Sequence, residues 1–266
     1  MTSTLWLTLG VTAGAVLALL LATFGVALLV RRYNVVDVTW GLGFALIAAV
    51  AYGLSAGHGS DSRRALLLGA TVLWGVRLAG YIGWRSRGKG EDPRYTDMLD
   101  KASGPRALTA LRKIFLLQAA LIWLISVPVQ AGMFQRGGPT WLLYLGLAVW
   151  LCGLGFESVG DWQLARFKAD PGRRGTVLDQ GLWRYTRHPN YFGDACVWWG
   201  LFLLSCGAWL AVVTVYSPLL MTFLLARGSG KPITEERMAA RPGYADYVRR
   251  TSGFVPRPPR RSAAAR

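Results

Sequence analysis

Apolar residues along this chain fall in long unbroken runs, not at helical or alternating intervals. Residues 5–30 carry no charge over 26 positions and are closed by Arg31-Arg32. Further runs lie at 38–56, 65–84, 114–133 and 141–160, each near the about 20 residues that cross a hydrocarbon core. Two shorter runs, 191–206 and 209–225, are parted only by Gly207-Ala208 and predict a tight, tilted hairpin. No segment alternates as a half-buried strand would. The pattern predicts an all-α polytopic membrane protein with about seven transmembrane helices. The first run is too long for the core of a signal peptide and has no basic leader, so it is expected to stay as a span.

Composition agrees with lipid as the solvent. Hydrophobic residues make up 53% of the chain and charged ones 17%, against about 25% charged in soluble domains. Of the 30 basic residues, 26 fall after the first, third, fifth and seventh runs. Arg63, Arg64 and Arg136 occupy the other loops, and Arg77 lies inside a run. That asymmetry predicts an outside N-terminus and a cytosolic C-terminus. The net charge of +16 therefore serves topology and anionic headgroups, with membrane lipids as partners and no nucleic acid. The length implies one membrane domain over 1–259 and a disordered basic tail over 260–266, with no separate soluble cofactor domain. The expected location is a bacterial inner membrane in preference to the endoplasmic reticulum. No obligate protein partner is evident.

Cys152, Cys196 and Cys206 lack a Cys-x-x-Cys spacing and read as apolar packing positions. His58 and His188 stand far apart, which excludes a histidine-cluster metal site, so no metal is expected.

Polar residues that interrupt apolar sequence carry the chemical information. The densest block is Gly181-Leu-Trp-Arg-Tyr-Thr-Arg-His-Pro-Asn-Tyr-Phe-Gly-Asp194. Pro189 suits a first helical position, and Asn190, Tyr191 and Asp194 then fall close together on the first turns. With Arg184, Arg187 and His188 beside it, this helix start is an anion site or simply a basic, capped turn. Upstream, Glu157, Asp161, Leu164 and Lys168 form one helical stripe. It is either a solvated ladder or, because Glu157 lies in apolar sequence, part of a site. Lys168, Arg173 and Arg174 make a cluster suited to phosphate. Thr234-Glu-Glu-Arg237, followed by Pro242-Gly-Tyr244 and Asp246-Tyr247, reads as a charged amphipathic helix on the membrane surface.

The 181–194 block, with Trp198-Trp199-Gly200 behind it, resembles the C-terminal signature of the steroid 5-alpha-reductase superfamily. It is most similar to the bacterial branch described only as a domain of unknown function (DUF1295), and also to the sterol C14-reductases. The resemblance spans roughly 30–259 and is strongest over 157–256. It implies a seven-span enzyme that uses NADPH to reduce a carbon–carbon double bond, usually conjugated to a ketone. It gives Asp161 and Asn190 roles in holding the dinucleotide. Glu157 stands for an asparagine of the steroid enzymes, Lys168 for an arginine and Asp194 for a glutamate. Arg184, Tyr185, Arg187, His188 and Tyr191 follow the sterol-reductase pattern. Glu236 and Arg237 fall near a cofactor-contacting histidine run, without a histidine here, and Tyr247 lies in the tail that also fits. At the substrate end, Trp74 takes the place of the family's span-three tyrosine. Asp37, next to Trp40, is the counterpart of its span-two glutamate, and Arg77 and Tyr81 are the neighbouring polar candidates.

The leading expectation is thus an NADPH-dependent ene-reductase acting on a hydrophobic small molecule from the bilayer. Asp37, Arg77 and Tyr81 would serve the carbonyl end, and Arg77 could instead be a structural partner of Asp37. The alternative is an S-adenosylmethionine-dependent methyltransferase of the isoprenylcysteine carboxyl methyltransferase type, which has a similar Arg-His-Pro block and a Glu-Glu pair like Glu235-Glu236. A non-catalytic lipid-binding protein is the third reading.

Overall fold

The computed structural model describes residues 2–207 and 212–260. Its helices are α1 (Thr2–Val30), α2 (Val36–Leu54), α3 (Asp61–Ser86), α4 (Pro93–Asp100), α5 (Arg106–Ala110), α6 (Leu117–Gly132), α7 (Thr140–Ala169), α8 (Pro189–Ser205), α9 (Tyr216–Ala226), α10 (Lys231–Met238) and α11 (Tyr244–Arg250). Among the described residues there is no strand, only an isolated bridge between Thr186 and Ser252. Among the described residues, five stretches are long and apolar enough to cross a membrane: Ser3–Val30, Tyr33–Leu54, Asp61–Ser86, Arg106–Gly132 and Thr140–Ala169. The protein is therefore an all-helical membrane protein. α8 and α9 have 17 and 11 residues, short of the about 20 of a full span. Ala208 of the expected hairpin turn, Trp209 at the start of the last run and the tail from 261 onward lie outside the described residues.

The chain divides into two compact units, Met1–Leu142 with Leu204–Ser217, and Leu143–Leu203 with Pro218–Arg266. In the first unit α2 and α3 cross where Gly41 faces Gly75, and a Cβ on either would overlap the other's carbonyl oxygen. Without a hydrophobic drive in lipid, such close backbone packing and buried hydrogen bonds hold helices together. Phe44, Ile47, Trp74, Ile122 and Ile125 fill the interior, and Gln130 receives the Thr12 hydroxyl at 2.6 Å while donating to Ser126 at 3.0 Å. α5 continues into α6 through a π-helical stretch, Leu111–Leu116. Pro128 within α6 has no N–H for the carbonyl of Leu124, four residues back. The Tyr216 hydroxyl donates to that carbonyl at 3.1 Å, and Ser217 donates to the next one, Ile125, at 2.5 Å.

In the second unit α7 is 30 residues long, about 45 Å at 1.5 Å per residue, against a hydrocarbon core of about 30 Å. Its last turns therefore extend past the membrane and carry the polar stripe. Gly146, Gly153 and Gly160 recur every seven residues along it, two helical turns apart. Gly200 meets Trp150 and the Gly146 carbonyl, Gly193 meets Gly153 and the backbone of Glu157, and Gly160 meets Pro189 and Asn190. This glycine seam brings α7 and α8 into antiparallel backbone contact.

Candidate functional site

The seam fixes where the first carboxylates of the stripe go. Glu157 and Asp161 are buried, with 2% and 3% exposure, and buried carboxylates require partners. The Asn190 side-chain amide donates to Asp161 Oδ1 at 3.3 Å. Its own Oδ1 accepts the Tyr191 backbone N–H at 3.1 Å. Pro189 opens α8, where its missing N–H leaves nothing unsatisfied. Asp194, one turn beyond Asn190, is buried too. Acceptors and an amide are thus gathered at the end of a membrane span.

Arg187 and His188 both meet Glu235. Arg187 Nε donates to Glu235 Oε1 at 2.8 Å, and its Nη1 donates to the carbonyls of Thr251 and Val248 at 2.7 and 3.1 Å. His188 Nε2 lies 3.2 Å from the same Glu235 oxygen, its ring stacked on Tyr191 at 5.2 Å. Lys231 adds a second cation 3.7 Å from Glu235. Burial alone would raise Glu235, but the hydrogen bonds from His188 and Arg187 outweigh it and hold the carboxyl at about 2. Burial pushes His188 below its ordinary value, with Glu235 opposing. The strut continues through backbone. Thr186 donates its hydroxyl to Phe254, the Arg187 N–H meets Ser252, and the Tyr247 hydroxyl donates to the Trp183 carbonyl at 2.6 Å. Burial raises Tyr247 well above the usual phenol range. Arg187, His188 and Tyr247 hold the 181–194 block against α10 and the C-terminal segment.

Further along α7, Leu164 is half-buried and Lys168 exposed, so the stripe reaches solvent. Arg173 does not join it. The helix stops at Ala169, Asp170 accepts the Gly172 N–H at 2.9 Å and draws Arg173 Nε to 3.1 Å. The Arg173 guanidinium lies over the Phe167 ring at 5.7 Å. Phe167, Arg166 and Trp162 line a cleft of about 400 Å³ together with Arg173. At about 100° per residue, these positions face away from Asp161. Arg174, Arg184, Tyr185, Glu236 and Arg237 are exposed, and the Tyr185 carbonyl accepts the Arg257 N–H at 3.0 Å.

In the first unit Asp37 opens α2 and meets two residues of α4. The Tyr95 hydroxyl donates to its Oδ1 at 2.5 Å and Arg94 Nη2 pairs with Oδ2 at 3.0 Å. Asp92 holds Arg94 in turn, also at 3.0 Å, and Gln118 donates to the Tyr95 oxygen at 3.4 Å. Burial and the neighbouring Asp37 carboxylate raise Tyr95 well above the ordinary phenol range. Arg77 packs over Tyr81 at 5.7 Å and Arg85 over the same ring at 5.4 Å. Trp74 is fully buried against Phe44, 5.6 Å between ring centres.

The family described as protein of unknown function (DUF1295) matches residues 23–251. The chain belongs to the DUF1295 family. No curated protein and no solved structure matches it.

Three residues of these clusters in the DUF1295 chain, Tyr95, Arg94 and Glu235, have partners that the sequence pattern does not point to. Tyr95 and Arg94 lie in a short polar helix with no apolar period to place it, although Asp92-Pro93 is a recognisable helix start. Glu235 was legible only as half of a Glu-Glu pair. Its ties to Arg187 and His188, 48 and 47 residues away, are long-range contacts that no local spacing encodes.

Proposed function

We propose that the protein is a seven-span, N-terminus-out reductase of the steroid 5-alpha-reductase superfamily. It would use NADPH to reduce a carbon–carbon double bond conjugated to a carbonyl in a hydrophobic substrate. The observation that carries this reading is the Asp161–Asn190 pair, buried at the glycine seam where a span ends. A carboxylate acceptor and an amide donor side by side are the complement of a nicotinamide carboxamide, whose NH2 donates and whose C=O accepts. Lys168, exposed two helical turns further along the same stripe, suits a phosphate. The residues present therefore fit a dinucleotide. Asp161 and Asn190 would orient it, Glu157 and Asp194 would line the buried end, and Lys168 would favour the 2′-phosphate.

When bound, NADPH supplies the hydride. Asp37 and Tyr95 are assigned to the carbonyl end of the substrate. The Tyr95 hydroxyl, which donates to Asp37 in the resting site, would turn to the substrate carbonyl and stabilise the developing enolate, while Asp37 stays the carboxylate paired with Arg94. Arg94 and Gln118 position the pair. Tyr95 and Arg94, whose hydrogen bonds reach Asp37, join Tyr81 and Arg77 as the polar candidates of the first unit.

The methyltransferase alternative relies on the Glu235-Glu236 pair, and Glu235 is committed to Arg187 and His188. The experiment that tests the proposal is mass spectrometry of small molecules released on denaturing the detergent-purified protein. NADPH or NADP supports the reductase reading, and S-adenosylmethionine or its demethylated product replaces it with the alternative.

A further inference from the structure

The face of α7 that turns away from Asp161 carries a second set of polar groups. Arg166 lies over the Trp162 ring at 5.6 Å and Arg173 over Phe167 at 5.7 Å, so two guanidiniums are held on aromatic rings at the wall of the about 400 Å³ cleft. Asp170 offsets only one of the two charges. Gln163 also lines the cleft, its Oε1 accepting the Leu182 N–H at 3.0 Å. Gly181, at φ +61, packs so closely on that amide that any side chain there would displace it. The cleft is thus a formed feature with net positive charge.

The rest of the face identifies what fits it. Trp141, Tyr144, Leu151, Val159 and Trp162 are 62%, 71%, 54%, 42% and 57% exposed and recur at helical spacing along one side of α7. The 21 residue steps from Trp141 to Trp162 rise about 32 Å, close to the about 30 Å of a hydrocarbon core. Tryptophans at both ends of such a span mark the headgroup levels. An apolar, lipid-facing stripe therefore runs into Trp162, and the two guanidiniums begin one turn further on, at the depth of phosphate groups.

We infer that this cleft binds the phosphate of an anionic phospholipid whose acyl chains lie along the exposed stripe of α7. Arg166 and Arg173 make charge-assisted hydrogen bonds to the phosphate oxygens, and Trp162 packs against the glycerol region. The inference is independent of the NADPH reading, because it uses the opposite side of the helix and accounts for Arg173 without a dinucleotide.

The test is native mass spectrometry of the full chain in detergent with added phosphatidylglycerol or phosphatidylcholine. One phosphatidylglycerol is expected to bind at least tenfold more tightly than phosphatidylcholine. R166Q/R173Q loses that preference, while K168Q, altered on the Asp161 side, retains it. All three substituted side chains are outside the seam, and circular dichroism checks that the helices are intact. Equal binding of the two lipids overturns the proposal, as does a preference that survives in R166Q/R173Q or disappears in K168Q. Displacement of the lipid by millimolar inorganic phosphate or glycerol phosphate also overturns it, assigning the cleft to a free phosphate compound.

Discussion

Asn190 and Asp161 meet across the α7–α8 seam at 3.3 Å, at the long end of the hydrogen-bond range. The backbones are locked by Gly160 against Pro189, so the two side chains cannot separate far. A backbone fixed in this way holds the carboxylate and the amide in one place, which a ligand site requires.

The charge pattern of the loops leads to a topology that labelling can check. Single cysteines at Ser60 and Gly137 are expected to react with an impermeant reagent from outside, and one at Gly172 only from the cytosol. The native Cys152, Cys196 and Cys206 are replaced by serine or alanine first. Labelling of Gly172 from outside would invert the topology and remove cytosolic access for the dinucleotide.

The Asp37–Tyr95 pair separates chemistry from cofactor binding. Tyr95→Phe keeps the ring and removes the hydroxyl that donates to Asp37 at 2.5 Å. Loss of an acid-base group costs about 10²- to 10⁴-fold in rate, so NADPH oxidation driven by an enone substrate should fall by that order with the NADPH affinity unchanged. A Tyr95→Phe enzyme of normal rate would return the pair to a structural role.

The Glu235 strut makes stability pH-dependent in a stated direction. The carboxyl is held at about 2, below its ordinary 4.5, so its contribution is complete above about pH 4.5 and is lost as pH falls toward 2. His188 is pushed below its ordinary 6.5. Protonation therefore favours the unfolded chain as pH falls through 6.5, adding to the same trend. Melting temperature in detergent should decline slightly below pH 6.5 as His188 protonates in the unfolded chain, and more steeply from pH 4.5 toward pH 3 as Glu235 does. Glu235→Gln should cost about 1.5–3 kcal/mol of stability at pH 7, the worth of charge-assisted hydrogen bonds, and flatten the limb below pH 4.5. A decline in Glu235→Gln as steep as in the parent would assign the pH dependence elsewhere.

Much of the fold was legible because a membrane span is written as a contiguous apolar run. The runs at 5–30, 38–56 and 65–84 became α1, α2 and α3 with ends moved by a few residues. The run at 141–160 became a helix reaching Ala169, since Asp161 and Lys168 continue its helical stripe beyond the apolar part. At the candidate site, Glu157, Asp161 and Asn190 were readable as polar residues out of place in apolar sequence. Arg173 was not placed by its sequence position, because the helix stop at Ala169 and the pull of Asp170 turn it onto the far side of α7. Tyr95 was not found because the partner that reveals it, Asp37, is 58 residues away.

The central claim is that the α7–α8 seam holds a dinucleotide, and the most direct measurement is NADPH affinity beside ligand-free melting in the same preparations of Asn190→Ala and Asp194→Asn. Neither substitution opens a large core cavity, so ligand-free stability should change little. NADPH affinity should fall tenfold or more, about 1.4 kcal/mol per decade. Early melting with undiminished affinity in both variants would contradict the account, making Asn190 and Asp194 structural links between two helices.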